Sequence, residues 1–336
     1  AAEALRELDP SVNWASPKQV LEALRRIGLS LPDTSFESLS RYREHPVVAA
    51  LLRYREHSKR LGTYGATWLQ HLHPETGRIH PGWRLIGADT GRMACSSPNL
   101  MQVPREPLYR SCFRAPEGRV LVKADYSQIE LRLAALIAEE QAMLEAFAEG
   151  QDLHTKTALA VTGKPAEEIS KQDRQLAKAL NFGLLYGMGA ESLRSYALAN
   201  YGVTLTPSEA AELRERFFRA YPGLRRWHRS QPEGETEVRT LMGRLRVTDR
   251  YTEKLNTPVQ GSGADILKLA LALLYERRYQ LPGIHPVLAV HDELVLEAPA
   301  HLASLAQVHL ERAMLEAAQS VTGGRVAIAV ESGVFL

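Results

Sequence analysis

Only two cysteines, Cys95 and Cys112, occur in the 336 residues. They are too few and too isolated for a disulfide framework or a four-ligand zinc site. The eleven histidines are scattered without metal-ligand spacing. A secreted disulfide scaffold is thereby excluded, and a reducing, cytoplasm-like compartment is expected. No uninterrupted apolar run reaches the roughly 18 residues of a membrane span, and no signal-peptide pattern opens the chain. The chain starts at Ala1 without an initiator Met, as a processed or recombinant fragment would. A large charge excess is also lacking. The formal net charge is +2, which speaks neither for nor against a polyanionic partner until its distribution is known.

What is present is an ordinary globular composition, 45% hydrophobic and 24% charged, with length for two or three subdomains. Charge is unevenly distributed. In "RYREHPVVAALLRYREHSKR", Arg41, Arg43, Arg53, Arg55, Lys59 and Arg60 face only Glu44 and Glu56. Such a run is either a solvated helix face or a strip that contacts phosphates. The "RYREH" at 41 and again at 53 is a single echo and does not make a repeat protein.

Residues 1–65 read as helical, with Ser16 as a cap, Pro17 at the first helical position and Gly28 as a stop. From His73 to Pro107 the chain is rich in Pro, Gly, Ser and Asn and reads as loops. "RVLVKAD" (119–125) reads as a strand, and the next 25 residues as one long amphipathic helix or two. Helices dominate to about 230. A helix is expected after "NTPVQGSG" (256–263), then two short strands meeting near Asp292, a late helix, and a closing strand "RVAIAVES". Strands in separate blocks around a helical insertion predict an α+β fold: a palm-like sheet carrying a helical subdomain.

Two constellations carry chemistry. In "VLAVHDELVLEAP", His291, Asp292 and Glu293 interrupt an apolar stretch. Buried unpaired carboxylates are costly unless they are paired, protonated or bound to a cation. Asp125 ends an earlier strand. If the two strands neighbour each other, both carboxylates emerge at one sheet edge, where Mg²⁺ could hold them together with waters and substrate phosphates. Two ions roughly 4 Å apart could then activate an attacking oxygen and stabilise a leaving one. Alternation along a strand makes Asp292 the expected ligand and Glu293 an auxiliary. The second constellation is "DRQLAKALNFGLLYG". Arg174, Lys178, Phe182 and Tyr186 recur every fourth residue, a stripe about 18 Å long on a helix. A triphosphate would suit its cationic end and a sugar and base its aromatic end, with Gly183 and Gly187 allowing close backbone approach. An amphipathic helix with a core aromatic pair fits the same pattern equally well.

"DYSQIELR", "RQLAKALNFGLLYG" and "VHDELVLEAP", in this order, resemble motifs A, B and C of the family A DNA polymerases, the bacterial DNA polymerase I family. The likeness extends through "DTGRMACSSPNLMQVP", "DLHTKTA" and "NTPVQGSGADILKLA", covering about 80–336 closely and the start loosely. It implies a right-hand fold with a palm sheet, helical fingers and a partial helical thumb. The expected division is thumb 1–65, first palm part 66–130, fingers 131–255 and second palm part 256–336.

Carried over by position, the resemblance implies metal ligation by Asp125, Asp292 and the Tyr126 carbonyl. Two magnesium ions are expected, with manganese as a substitute. Glu293 and Lys178 join Asp125 and Asp292 in the catalytic set. His154, Arg174 and Lys178 would bind the triphosphate, Phe182 and Tyr186 would face the nucleotide, and Glu130 would block a ribose 2′-OH. Lys59, Arg92, Asn256, Gln260 and His291 would contact DNA. Ser127 and Glu130 also have the spacing of a capping box, a local role that could coexist with the gate. The sequence departs from the pattern at Gln175, where many relatives have arginine, and at Ala289, where a polar residue is common. The 243–256 connection is short and the thumb around "GLSLPDTSF" is clipped.

The expected activity is DNA-templated addition of deoxynucleoside triphosphates to a primer 3′-OH, by a monomer acting in the cytoplasm on primer-template DNA. No carboxylate cluster is left for a nuclease, so no proofreading is expected of this chain. The rivals are a single-subunit RNA polymerase, disfavoured by the acid Glu130, and an inactive DNA-binding scaffold, disfavoured by Asp125, Asp292, Arg174 and Lys178.

Overall fold

The computed structural model describes residues 2–104 and 106–335. Two compact units are present: Ala1–His80 with Gly189–Glu212, and Pro81–Met188 with Leu213–Leu336. No helix among the described residues is long and apolar enough to cross a membrane.

The first unit is helical, as its 1–65 pattern predicts. Helices Pro17–Arg26 and Pro46–Tyr64 enclose a cluster that includes Leu5, Trp14, Val20, Leu24, Leu39, Val48 and Leu51. Pro17 takes the first helical position and Gly28 the left-handed exit, but the Ser16 side chain makes no capping bond. The basic strip divides. Arg55 turns inward to donate to the carbonyl and hydroxyl of Thr34, and Arg60 pairs with Glu56 at 2.8 Å. Arg41 donates to Ser195 Oγ at 3.0 Å, while Arg43, Arg53 and Lys59 are exposed.

The second unit is built on an antiparallel sheet. In chain order its strands are a small hairpin, β1 (Gly82–Arg84) and β2 (Ala94–Ser96), then β3 (Arg119–Tyr126), a second hairpin, β4 (Thr236–Arg239) and β5 (Leu245–Thr248), and finally β6 (His285–Val290), β7 (Glu293–Pro299) and β8 (Val330–Phe335). The main sheet has the order β6-β7-β3-β8. Val120, Val122, Ala124 and Tyr126 of β3 are buried, and the Tyr126 hydroxyl donates to the Met314 carbonyl at 2.7 Å on helix Ala303–Thr322. Period-two alternation therefore sends Lys123 and Asp125 to the opposite face.

Two elements differ from expectation. The helix expected after 263 begins at Tyr251 and runs unbroken to Glu276, with Pro258 inside it. Proline removes one ladder donor. Ser262 Oγ, one turn on, donates to the Pro258 carbonyl at 2.5 Å, and the buried Lys254 ammonium donates to the Pro232 and Gly234 carbonyls. The closing strand begins at 330 rather than 325, because the Ala327 and Ala329 carbonyls are used instead by Arg132 and the Ser127 amide.

Candidate active site

Register brings the two predicted carboxylates together. On neighbouring strands Asp125 stands opposite Glu293, and the Tyr126 amide donates to the Asp292 carbonyl at 3.2 Å. Asp292 lies in the turn between β6 and β7, next to His291 with φ +56°. Burial pushes the Asp292 carboxyl up to about 6, and the Asp125 and Glu130 charges add to this; the Asp292 backbone amide and Arg92 pull it down. Glu293 is held by Lys123 at 2.8 Å. Among the described residues no cluster of three or more His, Cys, Asp or Glu forms a closed metal cage. Two crowded carboxylates with positions left for water and phosphate oxygens suit Mg²⁺, which keeps several waters and takes few protein ligands.

Glu130 does not cap its helix. The helix Ile129–Ile137 starts after Gln128, whose φ of +54° turns the chain sharply and leaves Ser127 outside the cap position. The Ser127 amide goes to the Ala329 carbonyl instead. The Glu130 carboxylate accepts from the Arg92 guanidinium on one oxygen and from the Tyr186 hydroxyl on the other. Gln260 also bonds the Tyr186 hydroxyl, so four residues from distant segments share one network. Burial is the main cause that drives the Tyr186 phenol well above its ordinary value, and the Glu130 charge reinforces it.

The stripe is real. Helix Lys171–Leu185 begins with a capping box between Ser170 and Asp173, and Arg174, Lys178, Phe182 and Tyr186 are all half-buried. Arg174 is gripped by Asp152 in a fork of 2.7 and 3.2 Å. Despite the opposing effect of partial burial, bonds from Arg174 and Thr155 hold the Asp152 carboxyl well below its ordinary range. Lys178 makes no hydrogen bond or ion pair with any described residue. His154 is 4% exposed, and its ring lies 5.7 Å from that of Phe182. Asn181 accepts from Thr157 at 3.0 Å, so its amide donates to His154 Nδ1 at 2.9 Å. That leaves Nε2–H as the donor of a neutral ring, in keeping with a pKa driven down to about 4 by burial.

Asn256 and Gln260 stand one turn apart on helix Tyr251–Glu276, and Asn256 Oδ1 is buried without a partner. Arg92 and His291 line one small cavity with Met101, Ala264 and Ala289. Lys59 belongs to the first unit. Gly187 lies beyond the helix at φ +80°, and a Cβ there would meet the Tyr251 ring at 2.4 Å, so its missing side chain accommodates that ring rather than a ligand. Sequence reading missed Asp152, Asn181 and His228. Asp152 lies in the quoted "DLHTKTA", where its place before a helix was the available signal. His228 donates from Nε2 to the Leu185 carbonyl at 3.1 Å, closing the far end of the stripe helix, and nothing in the sequence marks it.

Among solved structures, the polymerase domain of Pol1 from M. smegmatis, in complex with DNA primer-template and dNTP, matches with a TM-score of 0.86 and 28% identity. The match covers 99% of this chain and 63% of that one. The fold is therefore the right-hand fold of nucleotide polymerases. The sequence profile of DNA polymerase family A matches residues 1–334, and the chain belongs to that family. It is 39% identical over 336 residues to DNA polymerase I of Aquifex aeolicus, covering 96% of this chain and 57% of the relative. To the thermostable DNA polymerase I of Thermus aquaticus it is 39% identical over 286 residues, covering 79% of this chain and 34% of that protein. The chain thus spans about half or less of these relatives' length.

Proposed function

We propose that this chain is the polymerase part of a DNA polymerase I-like enzyme, which adds deoxynucleoside triphosphates to a primer 3′-OH on a DNA template and releases pyrophosphate. The observation that carries this reading is the meeting of Asp125 and Asp292 at one sheet edge beside the Arg92–Glu130–Tyr186 network. Asp125 and Asp292, with the Tyr126 carbonyl, would hold magnesium or manganese, which polarises the phosphate and the attacking oxygen. The protein's own part is positioning and electrostatics. Lys178 and Arg174 bind the triphosphate tail, Lys178 meets the charge that develops on the leaving pyrophosphate, and His154 donates from Nε2 without adding charge. Phe182 packs against the sugar, and Glu130, fixed by Arg92 and Tyr186, closes the space a 2′-OH would need. Glu293, bound to Lys123, keeps the sheet edge in place. Asn256, Gln260, Arg92 and His291 address primer and template, and Lys59 a DNA phosphate.

In this reading the thumb comprises 1–65, the palm 66–130 and 256–336, and the fingers 131–255. No proofreading is assigned to this chain. Family A membership argues against the RNA polymerase alternative, and Lys178, unpaired among the described residues and close enough to His154 to act on its charge, argues against an inactive scaffold. Magnesium-dependent primer extension on DNA and RNA templates, with each nucleotide type, tests the reading. Duplex binding without any extension would return the scaffold alternative.

A further inference from the structure

Arg92 and Gln260 come from segments far apart in sequence, yet both bond into the Glu130–Tyr186 pair. Something must set the distance between their backbones. A half-buried group outside the network does so. Arg244, at the end of the β4–β5 turn, sends Nη2 to the Thr90 carbonyl at 2.6 Å and to the Gly261 carbonyl at 3.1 Å. Its Nε donates to Asp265 Oδ1 at 3.0 Å, and Asp265 is 7% exposed. Lys268 reaches the same Oδ1 at 3.4 Å and donates to the Gly91 carbonyl at 3.1 Å. One guanidinium therefore spans the residue two before Arg92 and the residue one after Gln260.

The packing shows how closely the three segments meet. A Cβ on Gly91, where φ is +81°, would lie 2.2 Å from Arg244 Cζ. On Gly261 it would lie 2.6 Å from Thr240 Cγ2 and 2.9 Å from Arg244 Nη2. The hairpin is itself fastened to the helix by the Leu241 amide, which donates to Ser262 Oγ at 2.9 Å.

We propose that Arg244, seated on Asp265 and assisted by Lys268, is a positioning residue that sets the spacing between Arg92 and Gln260 and thereby the sugar selectivity of the site. Resting on the polymerase reading above, the inference adds a determinant outside the residues that touch nucleotide. A planar fork suits the task because it can satisfy a carboxylate and two carbonyls at fixed angles, which a lysine ammonium cannot reproduce.

The test has two arms. In primer extension, Arg244→Lys should lower the deoxynucleotide-over-ribonucleotide preference about tenfold, with a loss mainly in kcat, and in an Arg92→Ala background the same change should cost little more. Lys268→Gln, which frees the Gly91 carbonyl and removes one cation from Asp265 while leaving the Arg244 bonds in place, should shift the preference in the same direction by a smaller factor and keeps the proposal testable if Arg244→Lys does not fold. Independently of activity, hydrogen exchange at 87–92 should quicken in either variant, since the tie on that segment is cut. Unchanged preference in an active variant, additive losses with Arg92→Ala, or unchanged exchange at 87–92 would each overturn the proposal. Failure of the unaltered chain to extend any primer would instead strike the polymerase reading, and the exchange arm would still decide the clamp.

Discussion

The two ends of the stripe on helix Lys171–Leu185 differ in the sign of their surplus charge. At one end Arg174 and Lys178 outnumber Asp152, and the nearby His154 is neutral. At the other Asp125, Asp292 and Glu130 outnumber Arg92. The first end attracts an anion and the second a cation, so a metal-bound triphosphate would be oriented before any base is read. They also differ in how polar groups are satisfied. Lys178 is left for a ligand, whereas Glu130, Tyr186, Arg92 and Gln260 satisfy one another. A site that leaves donors unpaired recruits; a site that pairs them internally excludes.

The largest expected effect comes from removing the negative surplus. Asp125→Ala or Asp292→Ala should lower primer extension by about a thousandfold or more, with duplex affinity held within about tenfold, because in the proposed reading each removes a metal ligand and not a cation that would contact phosphates. Normal turnover by either would break the assignment. At the positive end, Lys178→Ala should cost about a hundredfold in kcat/KM, divided between nucleotide requirement and chemical step. A change in DNA affinity alone would mean that the ends have been confused.

Next comes Glu130, for which the structure revises the sequence expectation. As a cap, Glu130→Gln would have been nearly silent. As the shared acceptor of Arg92 and Tyr186, it should lose about 1 kcal/mol, and Glu130→Ala more, since both donors are left unpaired. Ribonucleotide incorporation should rise about tenfold or more in Glu130→Ala and less in Glu130→Gln. Equal incorporation by both variants and the parent would remove the gate, whatever their melting temperatures.

The smallest effect is read by pH at the Leu185 end of the same helix. Burial lowers His228 to about 4 in the fold, and Arg214 adds to this against the bond to Leu185. An unfolded chain takes up that proton near 6.5, so the stability held by neutral His228 is fully present above 6.5 and is lost as pH falls toward 4. Asp292, raised in the fold, acts in the opposite direction in part of that window, so the difference between variant and parent is the quantity to measure. His228→Gln should make the fall in melting temperature between pH 7 and pH 5 shallower, by about 1 to 2 kcal/mol of stability. A parallel curve would place His228 outside the titrating set.

What was legible in the sequence was local periodicity. The apolar run in "RVLVKAD" predicted a strand ending at Asp125, and fourfold spacing predicted the stripe, because both depend on one element's geometry. What was hidden depends on tertiary approach. Arg92 and Glu130 lie 38 positions apart, and no local rule pairs them. The capping box at Ser127 had the right spacing, but the left-handed turn at Gln128, set by the exit from the sheet, moved the helix start. The helix was expected only after "NTPVQGSG", yet packing on both sides of the Tyr251–Glu276 helix outweighs the one donor that Pro258 lacks. Arg244 carries no signal at all, since its partners are mostly backbone carbonyls.

The two carboxylates at the sheet edge also differ in stiffness. Asp125 ends a central strand with ladders on both sides and, one residue on, a hydroxyl bolted to a helix. Its neighbourhood should exchange amide hydrogens only when the whole sheet opens. Asp292 rides a two-residue turn beside a left-handed histidine, and turns of that kind open locally. The pair therefore joins a fixed post to an adjustable latch, and any local movement that changes the spacing of the two carboxylates falls to the latch.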